Sequence, residues 1–192
     1  DLSEARPDRD DVLPDGYRVL VSERFRLRSL TIVEQRDEGV GVEGARVQIS
    51  AVSKSYWKGF YVIDGVSNTW AVNYTVPERC ADEDVNRNGI LDAGEDFNNS
   101  GRIEAGNVAS VAPGTVTTDV AGLAIFELTY AQEFANWVVV TIEARTSVAG
   151  TEFLETQDFL LSASIQDLTP PGSPPGGTES RYGSSATCAD TL

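Results

Sequence analysis

A chain of 192 residues, 41% of them hydrophobic, is long enough for one full core and at most two small ones. Its formal net charge of −15, from 30 acidic against 15 basic side chains, repels nucleic acid and anionic membrane surfaces and attracts cations. Histidine is absent, which excludes Ser-His-Asp and Cys-His catalysis and haem attachment through Cys-x-x-Cys-His, and removes the commonest metal ligand. The longest apolar runs, such as Trp137 to Val140, fall far short of the roughly 20 residues of a membrane-spanning helix.

In chain order, residues 1–16 (DLSEARPDRDDVLPDG) are charged and proline-interrupted, which predicts an extended arm or linker. Strands are predicted for YRVLVS from Tyr17 and FRLRSLTIV from Phe25. In ARVQISAV, Ala45, Val47, Ile49 and Ala51 alternate with polar residues at period two, giving one apolar face. YWKGFYVI from Tyr56 and NTWAVNYT from Asn68 read as further strands. After a polar stretch over 80–107 the alternation returns. In AIFELTY, Ala124, Phe126, Leu128 and Tyr130 share a face. Only a single helical turn fits near Ala131 to Ala135. WVVVTIEAR then places Val138, Val140, Ile142 and Ala144 inward, and TEFLETQDFLLSA from Thr151 follows as a last strand. Residues 169–192 are rich in Pro, Gly and Ser and should lack regular structure.

About eight short strands without helical periodicity point to an antiparallel β-sandwich. Methionine is absent and residue 1 is Asp, so a processed chain whose targeting segment has been removed is expected. Cys80 and Cys188, the only cysteines, read as one disulfide that ties the tail down and places the chain outside the cell. Closing so long a loop stabilises by about 4–5 kcal/mol in the chain-entropy view.

GVGVEGARVQIS and GTVTTDVAGLAIFELTY resemble segments of bacterial immunoglobulin-like domains of the invasin or intimin kind. The matching residues are Gly44, Ala45 and Val47, then Thr118, Asp119, Gly122, Ala124 and Phe126. The resemblance spans roughly residues 40–165. It implies an immunoglobulin-like sandwich, taken here as residues 17–168, whose usual short connection is interrupted by the stretch from Cys80 to Asn107.

That stretch matches the calcium-loop pattern D-x-[DN]-x-[DN]-G-x5-E without a gap. Asp84, Asn86 and Asn88 stand at positions 1, 3 and 5, Gly89 at the sharp turn, the Ile90 carbonyl at 7, Asp92 at 9 and Glu95 at 12. The template restarts at Asp96, with Asn98, Ser100, Gly101, the Arg102 carbonyl and Glu104 in the corresponding places. Asn107 then stands where the bidentate Glu belongs, so the second site is expected to be weaker, or to borrow Glu95 or Asp92 as a bridge. Leu91 and Ile103 repeat as the aliphatic residue of each loop. Consecutive loops leave no room for flanking helices, and the arrangement resembles the stacked calcium loops of dockerins and thrombospondin type 3 repeats. One Ca²⁺ is expected at the first loop and a second at the other. Without His, zinc is a poor match, and magnesium demands a stricter octahedron.

Trp57, Trp70, Trp137, Tyr56, Tyr61 and Tyr74 suit either a sugar-stacking platform or core packing, and packing is the expectation. The sequons at Asn73 and Asn98 carry little weight, since the second overlaps the loop. No proton donor stands out beside the clustered carboxylates, so no catalysis is expected. The expectation is a secreted, calcium-stabilised, non-catalytic structural or adhesive module of a bacterial cell surface, meeting a protein or glycan there. The alternatives are a self-assembling subunit of an extracellular filament and a carbohydrate-binding module.

Overall fold

The computed structural model describes residues 16–21, 43–120, 124–148 and 151–191. Nearly all of the N-terminal arm and the strand predicted from Phe25 lie outside the described residues. The elements are β1 (Gly16–Val21), β2 (Arg46–Tyr56), β3 (Gly59–Ile63), β4 (Trp70–Tyr74), β5 (Cys80–Ala81), β6 (Ala109–Ala112), β7 (Thr115–Thr117), β8 (Phe126–Ala131), β9 (Val138–Val148) and β10 (Thr151–Leu160). A 3-10 turn at Gln132–Phe134 joins β8 to β9.

One sheet has the order β1-β8-β6 and the other β10-β9-β2, with β5 and β7 both pairing to β2; every ladder is antiparallel. This β-sandwich reproduces two neighbourhoods of the immunoglobulin arrangement, B-E-D in one sheet and C-F-G in the other. The strand β3 forms a separate hairpin with β4.

The predicted alternation is what fills the space between the sheets. From β2 come Val47 and Ile49, from β9 Val138, Val140, Ile142 and Ala144, and from the opposite sheet Phe126, Leu128 and Tyr130, all buried. Ile125, between Ala124 and Phe126, is 65% exposed, as period two requires. β9 departs from simple alternation, because Val139 and Glu143 on its other face are buried as well. Over Glu143 lie the guanidinium groups of Arg145 and, from the polar insert, Arg87.

The segment YWKGFYVI, predicted as one strand, is split between β2 and β3. Lys58 turns inward at the break and is fully buried, with its Nζ 2.9 Å from the Asp190 carboxylate and in hydrogen-bond contact with Ser185. At Gly59, φ is +152°, and a Cβ there would sit 2.2 Å from the Asn73 carbonyl oxygen, so only glycine lets β4 close against β3.

The tail lacks strands but is bound along its length. Tyr61 N–H donates to Thr178 O at 2.8 Å, Ser180 N–H to Gly59 O at 2.9 Å, and Gly59 N–H to Gly183 O at 3.0 Å, so the tail pairs with the edge of β3. The Trp70 indole N–H donates to Gly172 O, and Arg181 pairs with Glu133 and lies over the Phe134 ring. The disulfide Cys80–Cys188 joins its end to β5.

Leu128 is completely buried at the centre of the core. Truncation by Leu128→Ala should lower unfolding free energy by about 2–5 kcal/mol in urea titrations, through lost burial and the cavity left behind. A loss below about 1 kcal/mol would mean that the sheets do not enclose this residue.

Candidate metal centre

Two copies of one hydrogen-bonded turn make up the polar insert. The Asp84 carboxylate accepts from Asn88 N–H and Gly89 N–H, each at 2.9 Å; Asp96 accepts from Ser100 N–H at 2.8 Å and Gly101 N–H at 3.1 Å. Asn86 Oδ1 accepts from Asn88 N–H at 3.0 Å, and Asn98 Oδ1 from Ser100 N–H at 2.9 Å. Asn88 and Ser100 then accept from the N–H groups of Ile90 and Arg102. Each short polar side chain thus bends the backbone locally, as Asx and Ser turns do. The backbone repeats with it: φ is +61° at both Arg87 and Asn99, and +73° and +72° at Gly89 and Gly101. The glycines take this left-handed conformation without the steric cost a side chain would add.

Inside each turn the predicted ligand side chains converge in part. Asn86 and Asn88 both donate their amide hydrogens to Asp92 Oδ2, at 2.7 and 2.8 Å, and Asn98 donates to Glu104 Oε2 at 2.7 Å. The bonds from the two asparagines hold the Asp92 carboxyl below its ordinary range. Ser100 Oγ donates to the Arg102 carbonyl, and Arg102 in turn pairs with Glu104 at 3.2 Å. The carboxylates of one loop do not meet at a point: among the described residues no three acidic groups come together as a ready cage. Asp84 and Asp96 are occupied by backbone N–H groups.

The closing carboxylates hold one residue that the calcium-loop template passes over. Glu95 accepts from Asp92 N–H at 3.0 Å and Asn86 N–H at 3.3 Å, spanning its own loop. In the second loop the corresponding Glu104 N–H donates to Glu83 at 3.0 Å, and the second donor to Glu83 is Phe97 N–H, next to Asn98, also at 3.0 Å. The carboxylate over the second loop is therefore Glu83, standing before the first loop, while the hydrogen bonds accepted by Glu95 and Asp92 come from the first loop. The signal for it lies in the sequence. EDVNRNGILDAG and EDFNNSGRIEAG, residues 83–94 and 95–106, are tandem twelve-residue copies identical at six positions, and each opens on Glu-Asp. Asn107 lies beyond the second copy.

Burial makes this arrangement costly. Glu83, Glu95 and Glu104 are 0%, 7% and 6% exposed, and the stretch 80–107 holds seven carboxylates against two guanidinium groups. Burial pushes the Glu83 carboxyl up, against the pull of its backbone donors. Below the second loop lies buried Tyr56, whose pKa is raised by burial and then by the nearby charges of Glu104 and Glu83. Two further bonds anchor the exit: Ser53 Oγ donates to Gly106 O, and Gly106 N–H donates to the Asp82 carboxylate at 3.1 Å.

Of the aromatic residues, Tyr56, Tyr61 and Trp137 belong to the core. Trp57 stacks on Tyr74 with ring centroids 4.4 Å apart, while Trp70 packs against the core and bonds the tail, so Trp57 and Trp70 do not share a free platform. Comparison with family models, curated proteins and solved structures returned no match to the chain.

Arg87 fastens the first loop to β9 by a 2.6 Å ion pair with Glu143. The Glu143 carboxyl is held below its usual range by hydrogen bonds from Arg145 and then Arg87, against a weaker burial effect. A carboxyl depressed in the folded state adds stability above its unfolded pKa, and that stability is lost as pH falls through the folded value. Glu143→Gln should lower stability by about 1–3 kcal/mol near pH 7, where the charge-assisted bonds are intact. The deficit should shrink as the pH is taken below about 4, read as urea midpoints. A deficit independent of pH would assign Glu143 a packing role only.

Proposed function

We propose that the insert binds two calcium ions and that the chain is an extracellular, calcium-stabilised structural or adhesive module without catalytic activity. The observation that carries this reading is the repetition of the same backbone turn in two tandem copies, with a buried glutamate closing each. A solvated acidic loop has no reason to bury three glutamates, because burying carboxylates without a cation is unfavourable. Calcium takes six to eight oxygen ligands, and each copy offers carboxylate, amide or hydroxyl, and main-chain carbonyl oxygens.

The first ion would be held by Asp84, Asn86, Asn88, the Ile90 carbonyl, Asp92 and Glu95. The second would be held by Asp96, Asn98, Ser100, the Arg102 carbonyl, Glu104 and Glu83. The proposed ions would displace the hydrogen bonds that now link Asn86 and Asn88 to Asp92, and Asn98 to Glu104. Neutralising the glutamates is the chemistry a cation supplies here, so the role is structural.

Location follows from affinity. Extracellular calcium modules bind at about 10⁻⁴ to 10⁻³ M, which keeps them occupied outside a cell and empty in cytoplasm. The disulfide is compatible with that setting. The strand order supports the sandwich fold alone; the sequence resemblance to bacterial surface domains is what suggests a protein or glycan at the cell surface as the partner.

The test is thermal. About 10 mM calcium should raise Tm above the EGTA value by roughly 5–10 °C per site, the shift expected for ligand at about a hundredfold its Kd. Asp84→Ala and Glu83→Gln should each remove about half of the gain. A Tm indifferent to chelator would sink the calcium reading.

A further inference from the structure

The tail meets the insert at two tyrosines whose rings pack against each other at a tilt. Tyr182, 3% exposed, lies with its ring centroid 4.4 Å from that of Tyr56, and its hydroxyl donates to Ala105 O at 3.2 Å, one residue beyond Glu104. Tyr56 in turn lies within electrostatic reach of Glu104, Glu83 and Asp82 of the insert. The insert is thus supported from beneath by one tyrosine of the sandwich and one of the tail. Three further attachments fix Tyr182 in place. The disulfide ties residue 188 to Cys80, two residues before Asp82; buried Lys58 pairs with Asp190; and Ser180 and Gly183 bond both backbone faces of Gly59. Without the tail, Ala105 would lose its hydrogen-bond donor and Tyr56 the ring packed against it.

We propose that the C-terminal strap sets the cation affinity of the insert, Tyr182 and the Cys80–Cys188 bond holding the second loop in its closed form before an ion arrives. The inference rests on the calcium reading and adds to it a coupling between two separate parts of the chain. Ordering the loop in advance removes conformational entropy that binding would otherwise have to overcome. Coupling of this kind is reciprocal, so calcium must also hold the strap more firmly on the sandwich.

The test is calorimetric titration of the oxidised wild-type protein with calcium chloride, beside Tyr182→Phe and the wild type reduced with a phosphine. Tyr182→Phe keeps the ring packing and removes one hydrogen bond, so affinity should fall about threefold to tenfold. Opening the disulfide should cost about tenfold or more. Thr146→Val, which deletes a buried hydrogen bond to Arg46 O at the opposite end of β2, serves as the control for general loosening and should bind as the wild type does. Should the reduced protein prove unfolded by circular dichroism, Tyr182→Phe alone decides. Affinities within about twofold of wild type in the strap variants would overturn the coupling and leave the calcium reading standing; equal weakening in Thr146→Val would also overturn it. Absence of binding to the oxidised wild type would overturn both.

Discussion

Three buried glutamates, Glu83, Glu95 and Glu104, are the constraint on which the rest of the insert depends. A carboxylate leaves water only if hydrogen bonds and opposite charge replace its hydration. Backbone N–H groups meet part of that need: Glu95 accepts from Asn86 and Asp92 of the first loop, and Glu83 from Phe97 and Glu104 of the second. Opposite charge is scarce, since Arg102 reaches Glu104 from an exposed position and Arg87 is committed to Glu143. The fold therefore leaves most of the charge of this stretch unbalanced. That imbalance is the physical content of the proposed calcium dependence.

The swap of closing glutamates also explains why the insert is a pair. Glu83 precedes the first loop and serves the second, so neither copy is complete by itself. The pair is then fixed at several places: Arg87 on β9, Gly106 on Ser53 and Asp82, and Ala105 on Tyr182. A sandwich of two modest sheets would otherwise carry a 28-residue excursion with no strand beyond β5. The tail, which has no regular structure, becomes part of the same assembly through the disulfide and the buried Lys58–Asp190 pair.

Much of the sandwich is legible in period-two alternation because its strands bury one face. Val47 and Ile49, Phe126 and Leu128, and Val140 and Ile142 were placed by that pattern alone. The break between β2 and β3 was not legible, since Lys58 turns inward for a carboxylate 132 residues later. Nor was the seating of the tail on β3, where Pro- and Gly-rich sequence carries no periodicity to assign a register. Glu83 illustrates a different limit. A template anchored on the first aspartate looks forward for its last ligand and finds Asn107, whereas the repeat itself, framed from Glu-Asp, shows a second glutamate in the equivalent place.

The number of calcium ions retained by the folded, oxidised chain tests the central claim most directly. Native mass spectrometry at about 10 mM calcium should show one dominant species carrying two ions, giving way to singly loaded and empty chain as free calcium falls to about 10⁻⁴ M and below. A chain that carries none, or only the trailing series of adducts expected of any acidic surface, would contradict the account.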